Sequence, residues 1–102
     1  MGEGVDPHLY TPRASDVRGI MAADLVLYNG LMLEGRMTEV FKRAAAKGLM
    51  VRPVCEVLEK KYLLEDAAQP GHPDPHVWMD VAGWMRAVKV VRDVLQEFDP
   101  AH

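Results

Sequence analysis

The chain has 102 residues, 49% hydrophobic and 26% charged, with 15 acidic side chains against 12 basic ones. That length holds one domain with one modest core, and the hydrophobic share excludes a disordered chain. A net charge of -3, without a cluster of Lys or Arg among aromatics, leaves no surface for a nucleic-acid backbone.

From the amino end, Thr11-Pro12 reads as an N-cap followed by proline at the first helical position. With Val17, Ile20 and Met21 on one face, the spacing predicts a helix over 12–22. Leu25 to Tyr28 is a short apolar run ended by Asn29-Gly30, the pattern of a buried strand entering a turn. Leu33, Met37, Val40, Phe41 and Ala44 then recur at helical spacing, opposite Glu34, Arg36, Glu39, Lys42 and Arg43, up to a stop at Gly48. Met50 to Cys55 reads as a second strand, placed at an edge because Pro53 has no N–H for a ladder.

Residues 56 to 80 form a long connection stiffened by Pro70, Pro73 and Pro75, and the charges at Glu56, Glu59, Lys60, Lys61, Glu65 and Asp66 read as a solvated surface. Asp80 caps a last helix, which Asp99-Pro100 ends, with Val81, Trp84, Met85, Val88, Val91, Leu95 and Phe98 on its expected inner stripe. The seven methionines are expected mainly on such inner faces. This order predicts an α/β fold, a partial three-layer sandwich with a short parallel sheet and three helices. Two strands leave open edges, so self-association is expected to complete the sheet.

Cys55 is the only cysteine, which excludes an intrachain disulfide and a thiolate zinc cluster; it reads as a small, half-buried hydrophobe. No apolar segment is long enough to span a bilayer, and Met1-Gly2-Glu3-Gly4 lacks the pattern of a secretory signal. On the residues alone, with Met1 as the natural start, the chain is expected in the cytoplasm.

One tripeptide occurs twice, as Asp6-Pro7-His8 and Asp74-Pro75-His76, in a chain with four histidines. Proline fixes its own φ and holds the preceding residue extended, so each copy presents an imidazole on a stiff loop beside a carboxylate. Neutral imidazole is the commonest protein ligand of transition metals, and its second nitrogen is best held by a partner. His8 and His76 are therefore the candidate metal ligands. Without thiolates the donor set suits Zn(II), Mn(II) or Fe(II), and two histidines leave at least two positions of a tetrahedral ion to water or another chain.

The runs Gly4 to Val17, Ala23 to Gly30, Leu33 to Met37 and Gly71 to Asp80 together resemble the zinc and manganese receptors of bacterial ABC importers, the TroA-like or cluster A-I solute-binding proteins. The resemblance covers almost the whole chain. It implies a two-lobed receptor with a metal ion between α/β lobes joined by a long helix, and its motifs place the first lobe's two histidines on His8 and His76. Against that pattern, the chain starts after the family's first strand and stops at His102, so residues 1–102 are expected to be a truncated first lobe without its second. The resemblance implies Zn(II) or Mn(II) as transported ligand, no organic cofactor, an ABC permease as partner and a periplasmic or cell-surface location. Met32 stands where relatives often have histidine, and residues 65 to 73 carry only His72, which leans toward the manganese or mixed type.

Plainer readings accompany each residue. His72 and His102 read as a loop and a terminal residue; Pro73 and Pro75 exclude a helical His72–His76 chelate. Asp6, Asp74 and Asp80 are candidates to orient the imidazoles, yet each also suits a turn or a cap. Tyr10 and Trp78 are expected to wall the site. With no nucleophile pairing, P-loop, dinucleotide glycine pattern or HExxH helix, no enzyme activity is expected. The alternative function is a non-transporting, self-associating relative with weak or no metal binding.

Overall fold

A computed structural model describes residues 2–58, 63–65, 67 and 70–102. The element order is α1 (Ala14–Met21), β1 (Leu25–Tyr28), α2 (Met37–Ala46), β2 (Met50–Pro53), a 3-10 turn (Val77–Met79) and α3 (Val81–Phe98). β1 and β2 pair in parallel, with Leu25 opposite Met50 and Tyr28 opposite Pro53. Because strand side chains alternate, Val26, Tyr28 and Val51 face the cluster of Met37, Phe41 and Ala44 from α2 and Ile20 and Met21 from α1. Leu27 faces the opposite cluster of Val54, Cys55, Leu58, Val77 and Ala87. The result is α/β: α1 and α2 on one face of a short parallel sheet and α3 on the other.

β1 has the bounds its sequence predicts. α1 begins later than expected, at Ala14 with Arg13 as its N-cap, and the Thr11 Oγ1 accepts from Arg36 Nη1 at 3.3 Å. The start is set from inside the helix, where the Asp16 carboxylate accepts the Arg13 N–H at 2.7 Å. α2 likewise starts at Met37 and not Leu33, since residues 31–36 form a turn with Gly35 at φ +49°. Leu33 is buried, but ahead of the helix.

The largest difference concerns α3. Its buried positions are Gly83, Ala87 and Val94, while Trp84, Met85, Val88, Leu95 and Phe98 are exposed. The helix is turned by about one residue (~100°) from the expected orientation. Small residues let it approach: a Cβ on Gly83 would lie 3.1 Å from Val77 Cγ1. Val91 of the expected stripe still packs on the core, while its bulkier members Trp84, Met85, Leu95 and Phe98 point away from the sheet. Methionines depart from expectation in the same sense, with Met32, Met79 and Met85 exposed.

Cys55 is fully buried, not half-buried. Glu56 and Glu65 of the supposed charged surface are exposed, while Glu59, Lys60, Lys61 and Asp66 lie outside the described residues. Among the described residues, no helix is long and apolar enough to cross a membrane.

Candidate metal centre

The two Asp-Pro-His loops meet. The imidazoles of His8 and His76 stand with centroids 5.6 Å apart and planes at 65°. Two imidazoles on one tetrahedral ion, each nitrogen at about 2.1 Å, have centroids roughly 5 Å apart, so the separation fits a shared ion without large movement. Both histidines are exposed.

Each loop is closed the same way, by its aspartate: Asp6 Oδ1 accepts the His8 N–H and Asp74 Oδ1 the His76 N–H, both at 2.9 Å. Asp74 does more. Its Oδ1 lies 2.6 Å from His76 Nδ1, and since an ionised carboxylate can only accept, this contact favours the neutral tautomer with its proton on Nδ1 and its lone pair on Nε2. The His76 N–H, then its ring, holds the Asp74 carboxyl below the usual carboxylate range. The Asp6 carboxylate holds only the backbone of its histidine, and Asp80 caps α3 by accepting from Ala82 N and Gly83 N at 3.2 and 3.0 Å.

Trp78 stands edge-on to His76, with centroids 5.1 Å apart, and lines a pocket with Leu64, Asp74, Val77, Met79 and Asp80. Tyr10 instead packs on the α1/α2 cluster and donates its hydroxyl to Asp16 at 2.6 Å. His72 is exposed and His102 Nδ1 pairs with Asp99 at 2.9 Å; neither joins the pair. Among the described residues no three His, Cys, Asp or Glu side chains form a set able to hold an ion. Two imidazoles alone would leave half of a tetrahedral shell open.

Beneath the pair lies a turn whose role sequence reasoning missed. Glu34, 8% exposed, accepts the N–H of Asn29 at 2.6 Å and of Gly30 at 3.1 Å. Burial raises its pKa, although these N–H groups act in the opposite direction. Asn29 Nδ2 donates to the Pro75 carbonyl at 3.1 Å, and Cys55 Sγ donates to Asn29 Oδ1 at 3.3 Å. Burial, with the Glu34 charge, pushes the Cys55 thiol up to about 11. The available signal was Asn29-Gly30 followed by a carboxylate at 34; the partner at Pro75, 46 positions away, had none.

A family model described as ZnuA, zinc-uptake complex component A periplasmic, matches residues 1–102. The zinc-binding protein TroA of Treponema pallidum is 46% identical over 102 residues, covering 98% of this chain and 32% of its own length. A solved structure of periplasmic zinc-binding TroA from the same organism superposes with a TM-score of 0.86 at 44% identity, covering 98% of this chain and 35% of that one. The manganese-binding lipoprotein MntA of Bacillus subtilis is 37% identical over 100% of this chain and 33% of its own length. Zn(II)-bound AdcA from Streptococcus pneumoniae gives a TM-score of 0.80 at 26% identity, over 98% of this chain and 21% of that one. The chain spans about a third of the length of the curated relatives it matches.

Proposed function

We propose, from the premise that this chain belongs to the ZnuA family of zinc-uptake components, that His8 and His76 are two ligands of a transported divalent ion, Zn(II) or Mn(II). The observation that carries the reading is the approach of the two imidazoles to 5.6 Å, with His76 Nδ1 held by Asp74. Residues 1–102 then act as the first lobe of a receptor. A second lobe supplies the remaining ligands, and the ion passes by reversible ligation, without covalent chemistry, to an ABC permease in the membrane, from its periplasmic or cell-surface side. Names among the relatives support this: one is zinc-binding, two are manganese-binding, and others are substrate-binding lipoproteins of metal ABC transporters.

Calorimetric titration of the metal-free chain with Zn(II) and with Mn(II) tests the assignment. Binding should be weak, as two imidazoles leave half a tetrahedral shell to water, and His8→Ala with His76→Ala should abolish it. Unchanged binding in the double variant overturns the reading. One observation favours self-association as a second reading, the uncovered apolar residues of α3. Light scattering that shows assembly indifferent to chelator and to both histidine substitutions would support that reading instead.

A further inference from the structure

The turn at residues 29–35 touches both histidine loops, yet contributes no ligand. Its backbone is costly at two positions, Leu31 with φ +55° and Met32 with φ +65°, since left-handed conformations at bulky residues persist only when surroundings impose them, whereas Gly30 at +81° takes this region freely. Glu34 closes the turn at its entry by accepting the N–H groups of Asn29 and Gly30. On one side of the turn Gly35 backs onto the first loop; a Cβ there would overlap the His8 carbonyl oxygen and lie 3.0 Å from its carbon. On the other side the Asn29 amide holds the carbonyl of buried Pro75, next to His76. The amide is held in turn by the Cys55 thiol and by the Gly30 carbonyl, to which Nδ2 also donates at 2.9 Å.

We infer that Asn29 is a positioning residue for the metal site, setting the separation of His8 and His76 by fixing Pro75 against the same turn that carries the His8 loop. The inference rests on His8 and His76 being ligands. The amide also excludes simple substitutes: aspartate keeps the acceptor for Cys55 and loses the donor for Pro75.

The test titrates Zn(II) into the full chain in four forms: unaltered, Asn29→Asp, His76→Ala and the two combined. Asn29→Asp should weaken binding by about tenfold, the low end for groups that orient metal ligands. In the His76→Ala background it should have no further effect, because the imidazole it places is gone. Equal weakening in both backgrounds, or none in the first, overturns the inference. A second readout is independent of metal: nuclear Overhauser contact between the His8 and His76 rings in the metal-free chain should disappear in Asn29→Asp while the amide spectrum stays dispersed. Its retention overturns the inference. Should Asn29→Asp fail to fold, Asn29→Ser, uncharged and shorter, takes its place in both measurements. If His76→Ala alone leaves Zn(II) binding unchanged, the ligand reading fails, and the ring contact then decides by itself whether Asn29 sets the separation.

Discussion

In both Asp-Pro-His loops the aspartate accepts the histidine N–H at 2.9 Å, but only Asp74 also holds its histidine's ring, and Pro75 is buried where Pro7 is half-buried. The first loop lies on the surface and leans on Gly35. The second is anchored from below by Asn29 and continues through buried Val77 into α3. One tripeptide thus specifies one local turn twice, while tertiary partners decide how firmly each imidazole is aimed. Of the two imidazoles, that of His76 is held by more bonds, through Asp74 and through Asn29 on Pro75, than that of His8.

The largest expected effect comes from removing what the loops share. Glu34→Ala strips the acceptor from two backbone N–H groups in a buried place, at a cost of about 3 kcal/mol. Denaturant unfolding checks it. The pH dependence has a definite sign. Burial places Glu34's folded pKa above its ordinary 4.5, so its contribution is fullest below that value and declines as pH rises through the folded one. The stability gap between the unaltered chain and Glu34→Ala should therefore narrow with rising pH; a widening gap would mean the N–H bonds outweigh burial.

Next in size is the contrast between the aspartates. Asn keeps an acceptor for the backbone N–H but no charge for a ring, so Asp74→Asn should lower Zn(II) affinity by roughly 10- to 100-fold and Asp6→Asn should leave it nearly unchanged. Equal losses in calorimetry would erase the distinction between the loops. Asp74's pKa lies below 3.8 in the fold, so its stabilisation is present above 3.8 and lost as pH falls through the folded value. Asp74→Asn should flatten that acid limb.

Sequence reading reached the local half of this arrangement. The bounds of β1 follow from four apolar residues ahead of Asn29-Gly30, and Asp80 caps α3 as its position predicts, because both are decided by neighbours a few residues away. The stiff presentation of each histidine is equally local. What sequence could not show depends on distant packing. Helical spacing at Leu33 was overridden by the turn around Gly35, and the helix opens at Met37. On α3 the face that packs was chosen by smallness at Gly83 and Ala87, whereas periodicity weights size and pointed to Trp84 and Val88. Asn29's bond to Pro75 joins residues 46 positions apart and leaves no trace in composition or period.

The helices that follow the loops sharpen the comparison at smaller scale. Asp80 precedes α3 and accepts two of its free N–H groups, so Asp80→Ala should cost about 1 kcal/mol. Asp16 acts from within α1, half-buried, taking the Arg13 N–H and the Tyr10 hydroxyl. Only one of its two bonds goes to a backbone N–H at the helix start, against two for Asp80, so Asp16→Ala should cost less than Asp80→Ala in thermal unfolding. Tyr10, then the Arg13 N–H, lowers the Asp16 pKa from 3.8, so its contribution stands above that value and fades as pH falls through the folded one. Tyr10→Phe removes the larger cause and should move the Asp16 titration back toward 3.8, read by carboxyl NMR. If it does not move, the Arg13 N–H alone sets the helix start, and the aromatic after His8 serves packing only.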